Sequence, residues 1–151
     1  MIKLKIPSPI NVIQEEIIQE FKDLQEREEV LTYLMEIGEQ QPVIADFYKA
    51  PHNIVEGCAA KVWLTHHHFA QQKGRLFFEA DSDAAITKGL ISLLLRVLSG
   101  QRIEDIVEST LHFVKEIKLL THIGQQRGSG FGRMLKKMKL IAIEQSAEQL
   151  A

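Results

Sequence analysis

One thiol leads the residues that could do chemistry. Cys58 is the only cysteine in the chain and lies between Gly57 and the pair Ala59 and Ala60. Glycine adopts backbone angles closed to other residues, so a sharp loop can carry the thiol at its tip. The small neighbours leave the sulfur accessible when such a loop turns outward. A thiolate held there can attack sulfur, as in thiol–disulfide exchange. An ordinary cysteine has a pKa of about 8.5, so only a few per cent is ionised at neutral pH. A cation supplied nearby would raise that fraction. The alternative is a small buried hydrophobe, the usual fate of a lone cysteine. Position alone leaves both open.

Three further groups carry polar chemistry. Arg127 lies in a Gly-rich loop, either as an exposed side chain or as an interface contact, a role arginine favours. Asp81, Ser82 and Asp83 precede an apolar run and offer N-cap oxygens to a helix. His66, His67 and His68 suggest a metal site, but strand alternation sends His66 and His68 to one face and His67 to the other. Two histidines are two ligands, a structural zinc takes four, and Cys58 is the only thiol. A solvated hairpin face is expected there, and no metal.

The elements that would position these residues follow from periodicity. Asn11 and Gln14 have capping-box spacing before Val12, Ile13, Ile17 and Phe21, which predicts a first helix. Asp23 and Glu26 repeat the signal, with Val30, Leu31, Leu34 and Ile37 at helical spacing. A second helix is expected from about Leu24 to Gln40, stopped near Gly38 and Pro42. Val62–His67 alternates as a strand, Arg75–Ala80 is a second, and Gln71–Gly74 supplies the turn of a hairpin. Asn53–Gly57 could add a third short strand, leaving Cys58 in the loop before Val62.

From Ala84 to Leu98 nearly every position is apolar, the exceptions Lys88, Ser92 and Arg96 recurring every four residues. That pattern predicts a buried central helix with one narrow wet stripe, ended by Gly100. Arg102–Glu108 and Leu111–Leu120 read as short helices. A last helix from about Ser129 puts Phe131, Met134, Leu135, Met138, Ile141 and Ala142 on one face. Arg133, Lys136, Lys137 and Lys139 fall on the other. The order predicts an α+β domain, with helices on one face of a small antiparallel sheet of about three strands.

The 151 residues suit one domain, 1–151, with an N-terminal extension over about 1–11. The formal net charge of −2 argues against a nucleic-acid partner. The most apolar run, Ile86–Leu98, is too short for a bilayer and contains Lys88 and Arg96. Lys3 and Lys5 precede Pro7, Pro9, Glu15 and Glu16 with no apolar core between, unlike a secretory signal. A lone thiol fits a reducing cytoplasm.

The stretch Val55-Glu56-Gly57-Cys58-Ala59-Ala60-Lys61-Val62-Trp63 resembles the active-site segment of the SufE/CsdE family, with its Gly-Cys pair followed by Val-Trp. Asp81-Ser82-Asp83-Ala84 with Ile86, Lys88, Gly89 and Leu90 is similar to a second family signature. Arg127, Gly130 and Met134 resemble a third, with His122 ahead of them. The three occur in family order over about Glu29 to Lys139. The resemblance implies a fold like that of IscU-type scaffolds. It implies that Cys58 takes persulfide sulfur from a pyridoxal-phosphate cysteine desulfurase of SufS or CsdA type, stimulates it, and passes sulfur to an iron–sulfur scaffold. Such a protein is an accessory rather than an enzyme. It has no cofactor of its own beyond the transient persulfide, and is a monomer or weak dimer. The resemblance assigns Arg127, Asp81 and Gly57 to partner binding. Ala59 and Ala60 stand where the family usually has Gln-Ser, and Gly124, Gln125 and Gln126 where it has Thr/Ser-Pro-Ser. A related scaffold holding iron–sulfur or metal with Cys58 and nearby histidines is the alternative.

Overall fold

The computed structural model describes residues 5–150. Its elements run α1 (Ile10–Phe21), α2 (Arg27–Gln40), β1 (Val62–His67), β2 (Arg75–Ser82), α3 (Ala85–Leu98), β3 (Gln101–Arg102), α4 (Ile103–Glu108), α5 (Phe113–Glu116) and α6 (Leu119–Leu150). The architecture is α+β, with an antiparallel sheet in the order β1-β2-β3. Residues 1–4 of the expected extension lie outside the described residues, and Ile10 and Asn11 already belong to α1. No helix among the described residues is long and apolar enough to cross a membrane.

The core forms where the apolar stripes meet. Leu90, Ile91, Leu93, Leu94, Val97 and Leu98 of α3 are almost wholly buried. Each such side chain contributes about 1.5–3 kcal/mol on leaving water. One face of the sheet, with Val62, Leu64 and Ala80, packs on Ile91 and Leu94 of α3 and on Met134 and Met138 of α6. On the other side α3 meets α2 at glycine. A Cβ on Gly89 would stand 2.1 Å from the Leu34 carbonyl oxygen, and one on Gly38 would stand 2.8 Å from the Gly89 nitrogen. The wet stripe of α3 is a line of paired charges. Lys88 Nζ lies 3.5 Å from Asp81 Oδ1, and Arg96 donates to both Glu20 oxygens at 2.9 and 2.6 Å.

Several local expectations change in the fold. Asn11 does not cap α1, whose N-cap is Pro9. Gln14 is instead fully buried, accepting from the Phe113 N–H at 3.1 Å and donating to the Thr110 carbonyl at 3.0 Å. The capping box of α2 is formed by Glu26 and Glu29, three residues later than the Asp23 signal. The third strand is Gln101–Arg102, paired with Leu76 and Arg75, and not Asn53–Gly57. Pro51 opens a 3-10 turn over Pro51–Asn53, so only Ile54 bridges to β1, at Trp63. Helix α5 is confined to Phe113–Glu116, and the chain turns at Lys118, with φ of 53°, into α6. That last helix starts ten residues before Ser129 and is interrupted at Gly124, where φ is 84° and ψ 167°.

Gln14→Leu tests the buried amide. It strands the Phe113 N–H and the Thr110 carbonyl away from water, at a cost of about 1–3 kcal/mol for each group left unsatisfied. Urea unfolding should show a lowered midpoint with unchanged slope. A midpoint within error of the unaltered protein's would mean that water replaces the amide.

Candidate functional site

Residues 55–61 leave the bridge at Ile54 and cross the N-terminal half of α6 before entering β1. Gly57 makes the turn, with φ of 85°, a conformation that other residues rarely adopt. Cys58 is half-buried, and its Sγ lies 3.7 Å from the Gly130 carbonyl oxygen, a weak contact in which the thiol donates. A side chain at Gly130 would touch the sulfur, because a Cβ there falls 3.7 Å from it. The two small residues 57 and 130 therefore let the loop lie close to the helix.

The thiol stands between two concave surfaces. On one side is a cleft of about 370 Å³. Its apolar wall includes Leu90, Ile123, Phe131 and Met134, and Arg127 is at its edge. On the other side is a shallower depression of about 630 Å³, bounded by Gly57, Cys58, Ala59, Gln125, Gln126 and Ser129. The two departures from the family pattern meet here. Ala59 and Ala60 remove side chains beside the thiol, and Gln125 and Gln126 bring amides to the same cleft. Gly124 permits this, because its left-handed turn breaks α6 just before the two glutamines.

Burial pushes the Cys58 thiol above its ordinary pKa, and the charge of Arg133 pulls it part of the way back. Burial wins, so the thiol is mostly protonated at neutral pH in this conformation. Helical period puts Arg133 on the solvent side of the last helix. It is exposed, but its stem and guanidinium lie against Gly57: a Cβ at that residue would be 2.5 Å from Arg133 Nε and Cζ. Period alone carries no signal for this contact.

Arg127 is exposed at the cleft edge, with one long bond of 3.4 Å from Nη1 to the Ile123 carbonyl. Gly57 is exposed beside Cys58. Asp81 is neither an N-cap nor on the surface. Strand β2 continues through Ser82, and the N-cap of α3 is Ala84. The Asp81 residue is only 2% exposed. Its carboxylate lies 3.5 Å from both Lys49 and Lys88 and accepts from the Ser82 N–H at 2.8 Å. It braces the start of the hairpin, because the ladder holds it opposite Trp63. Asp83 accepts from the Lys61 N–H at 3.1 Å, tying α3's approach to the cysteine segment.

The histidines are not brought to the thiol. His66 is four residues along β1 from Val62, about 13 Å at the strand rise. The rings of His66 and His68 are 6.0 Å apart, His68 bonds to Gln145 on α6, and His67 meets Glu79 at 2.7 Å. That hairpin face is therefore partly covered by α6 rather than simply solvated. Burial and the neighbouring His68 and His67 lower the pKa of His66. No group of three or more His, Cys, Asp or Glu among the described residues could hold a metal ion.

The SufE family, described as an Fe–S metabolism associated domain, matches residues 15–142. An uncharacterised SufE-like protein of Rhizobium meliloti is 33% identical over 127 residues, covering 83% of this chain and 91% of its own. The chloroplastic/mitochondrial SufE-like protein 1 of Arabidopsis thaliana is 33% identical over 129 residues, 85% of this chain and 34% of that one. The solution structure of a hypothetical protein from Thermus thermophilus superimposes with a TM-score of 0.68 at 16% identity. It covers 93% of this chain and 97% of the other, and bears on the fold alone, not on a likeness to IscU-type scaffolds. A matched domain over most of its length, and relatives identical at a third of the aligned positions, establish that this chain belongs to the SufE family of iron–sulfur metabolism.

Proposed function

We propose that Cys58 accepts sulfur from the persulfide of a cysteine desulfurase and carries it towards iron–sulfur cluster assembly. The observation that carries this reading is the position of the only thiol, between a sheltered cleft and an open depression. In the transfer, the Cys58 sulfur attacks the outer sulfur of the donor persulfide. A new S–S bond forms at Cys58, and the donor's S–S bond breaks. The donor cysteine leaves as a thiolate and takes the proton that Cys58 gives up. The same exchange, run towards a thiol of an assembly scaffold, unloads the carrier. No net oxidation occurs, so the carrier needs no cofactor of its own. Pyridoxal phosphate belongs to the donor.

The raised thiol pKa supports a resting state that is slow towards passing reagents. Such a carrier has no turnover alone and speeds the donor by removing its product. A desulfurase that draws this half-buried thiol outward must favour that position of the loop over the one seen here, because equal affinity for both shifts nothing. A single thiol persists as such in a reducing compartment such as the cytoplasm.

Incubation with a cysteine desulfurase and cysteine should add the mass of one or more sulfur atoms at Cys58. No adduct on Cys58 while the desulfurase itself is loaded would sink the proposal. Arg127 is exposed at the edge of the cleft and serves here as a contact for the donor. Arg127→Ala should weaken donor binding and shift stability by less than about 0.5 kcal/mol, as usual for an exposed site. A large drop in melting temperature with intact binding would make Arg127 structural.

A further inference from the structure

Arg133 falls between Gly130 and Met134 of the third stretch without being one of the residues that carry the resemblance, and its side chain rests on the residue before the thiol. Three observations give it a role. Its guanidinium occupies the space that a side chain at Gly57 would fill. No acid ion-pairs with it among the described residues, so its charge is not spent on a carboxylate. Gly130, three residues earlier on the same helical face, provides the carbonyl that faces Cys58 Sγ. One edge of α6 therefore sets a small residue against the sulfur and a cation against the residue before it.

We infer that Arg133 is a positioning residue for sulfur transfer, whose guanidinium, held over Gly57, stabilises the sulfur anion at Cys58. This rests on Cys58 being the sulfur acceptor. The anion appears twice in the exchange, as the attacking thiolate and as the persulfide formed from it. A persulfide is a stronger acid than its parent thiol, so a cation at this site favours the anion of the loaded carrier as well. Ala59 and Ala60 bring no hydrogen-bonding side chain to that charge, and Arg133 supplies a cation from the facing helix. Other charges surround the segment. Glu56 and Lys61 flank it in the chain, Asp83 approaches from the β2–α3 connection, and Arg127 edges the cleft. Among them the Arg133 charge is the one that bears on the thiol, against burial.

The test uses the full chain and the pH dependence of Cys58 alkylation by iodoacetamide, a neutral reagent. Arg133→Met keeps the stem against Gly57 and removes the charge. It should raise the midpoint of the profile and slow alkylation at neutral pH about three- to ten-fold, since thiolate fraction changes tenfold for each unit of pKa. Arg133→Lys should recover most of the rate. On the unaltered protein the midpoint should also climb as salt is raised, because screening weakens an exposed charge. A midpoint unmoved in Arg133→Met, or Arg133→Lys as slow as Arg133→Met, would overturn the assignment. With desulfurase and cysteine, loading of Arg133→Met should slow by a similar factor. Alkylation needs no donor. If the unaltered protein takes up no sulfur while the midpoint still shifts, the acceptor role falls and the cation's effect on the thiol stands. If sulfur loads normally and the midpoint does not move, Arg133 alone is refuted.

Discussion

Cys58→Ser should abolish sulfur acceptance and leave the fold intact. The first half of that expectation is chemical. A serine hydroxyl is hardly ionised at neutral pH and cannot form the S–S bond on which the exchange depends. No second thiol exists to substitute for it. Stimulation of the desulfurase should disappear with acceptance if removal of sulfur is its cause. Stimulation that persists without an adduct would mean that the chain acts on its partner by contact alone. The structural half follows from the surroundings. Cys58 is half-buried, and its polar contact is a weak one to a carbonyl that a hydroxyl can also reach. The change in stability should stay near 0.5 kcal/mol or below, read as an unchanged urea midpoint.

Gly89→Ala is the substitution expected to damage the fold most. Two effects oppose each other at this residue. Alanine favours helix over glycine by about 1 kcal/mol, which taken alone would stabilise α3. Against it, the new Cβ would meet Leu34 backbone atoms at 2.1, 2.7 and 2.9 Å. A backbone carbonyl cannot rotate aside as a side chain can, so α2 and α3 must separate. They form the most extensive helix–helix contact of the fold, and prying them apart loosens the packing of Leu34 and Leu90 as well. Overpacking typically costs about 1–3 kcal/mol and occasionally more, and a clash with backbone this close belongs at the upper end, above the propensity gain. A net loss of about 2–3 kcal/mol lowers the melting temperature by roughly 4–12 °C in a chain of this size. Gly132→Ala is the internal control, because its Cβ would meet nothing within 4 Å on the exposed side of α6. It should raise stability by about 0.5–1 kcal/mol through propensity alone. Equal gains in both variants would show that the two helices can slide apart freely.

Gly57, by contrast, shows how one residue serves two purposes. Its positive φ turns the chain before the thiol, and its missing side chain leaves the space that Arg133 fills. The sequence disclosed the first purpose and not the second.

Residue pattern alone was enough for the class of the fold, and it singled out the one sulfur that the proposed transfer needs. Periods of 3.6 and 2 marked α1, α2, α3 and the hairpin, because burial of one face repeats with the backbone geometry. The lone Cys58 in its Gly-Cys segment, with two further stretches in order, marked the family. Local signals failed where a distant segment competed for the same groups. Asp81, Ser82 and Asp83 satisfy every N-cap preference, but cross-strand pairing with Trp63 and Val62 carries β2 through Ser82. Asp81 is drawn under Lys49 and Lys88 instead. Gln101 and Arg102 have no strand pattern, and they pair because Gly100 returns the chain beside Leu76. Tertiary packing alone set Arg133 against Gly57, the residue before the thiol, brought Gln125 and Gln126 to the cleft, and kept the histidines away from it. Helical period tells which residues share a face and is silent on what lies across it. The contact of Gly57 with Arg133 exists because the cysteine loop packs across α6, and its position is fixed by the core beneath both.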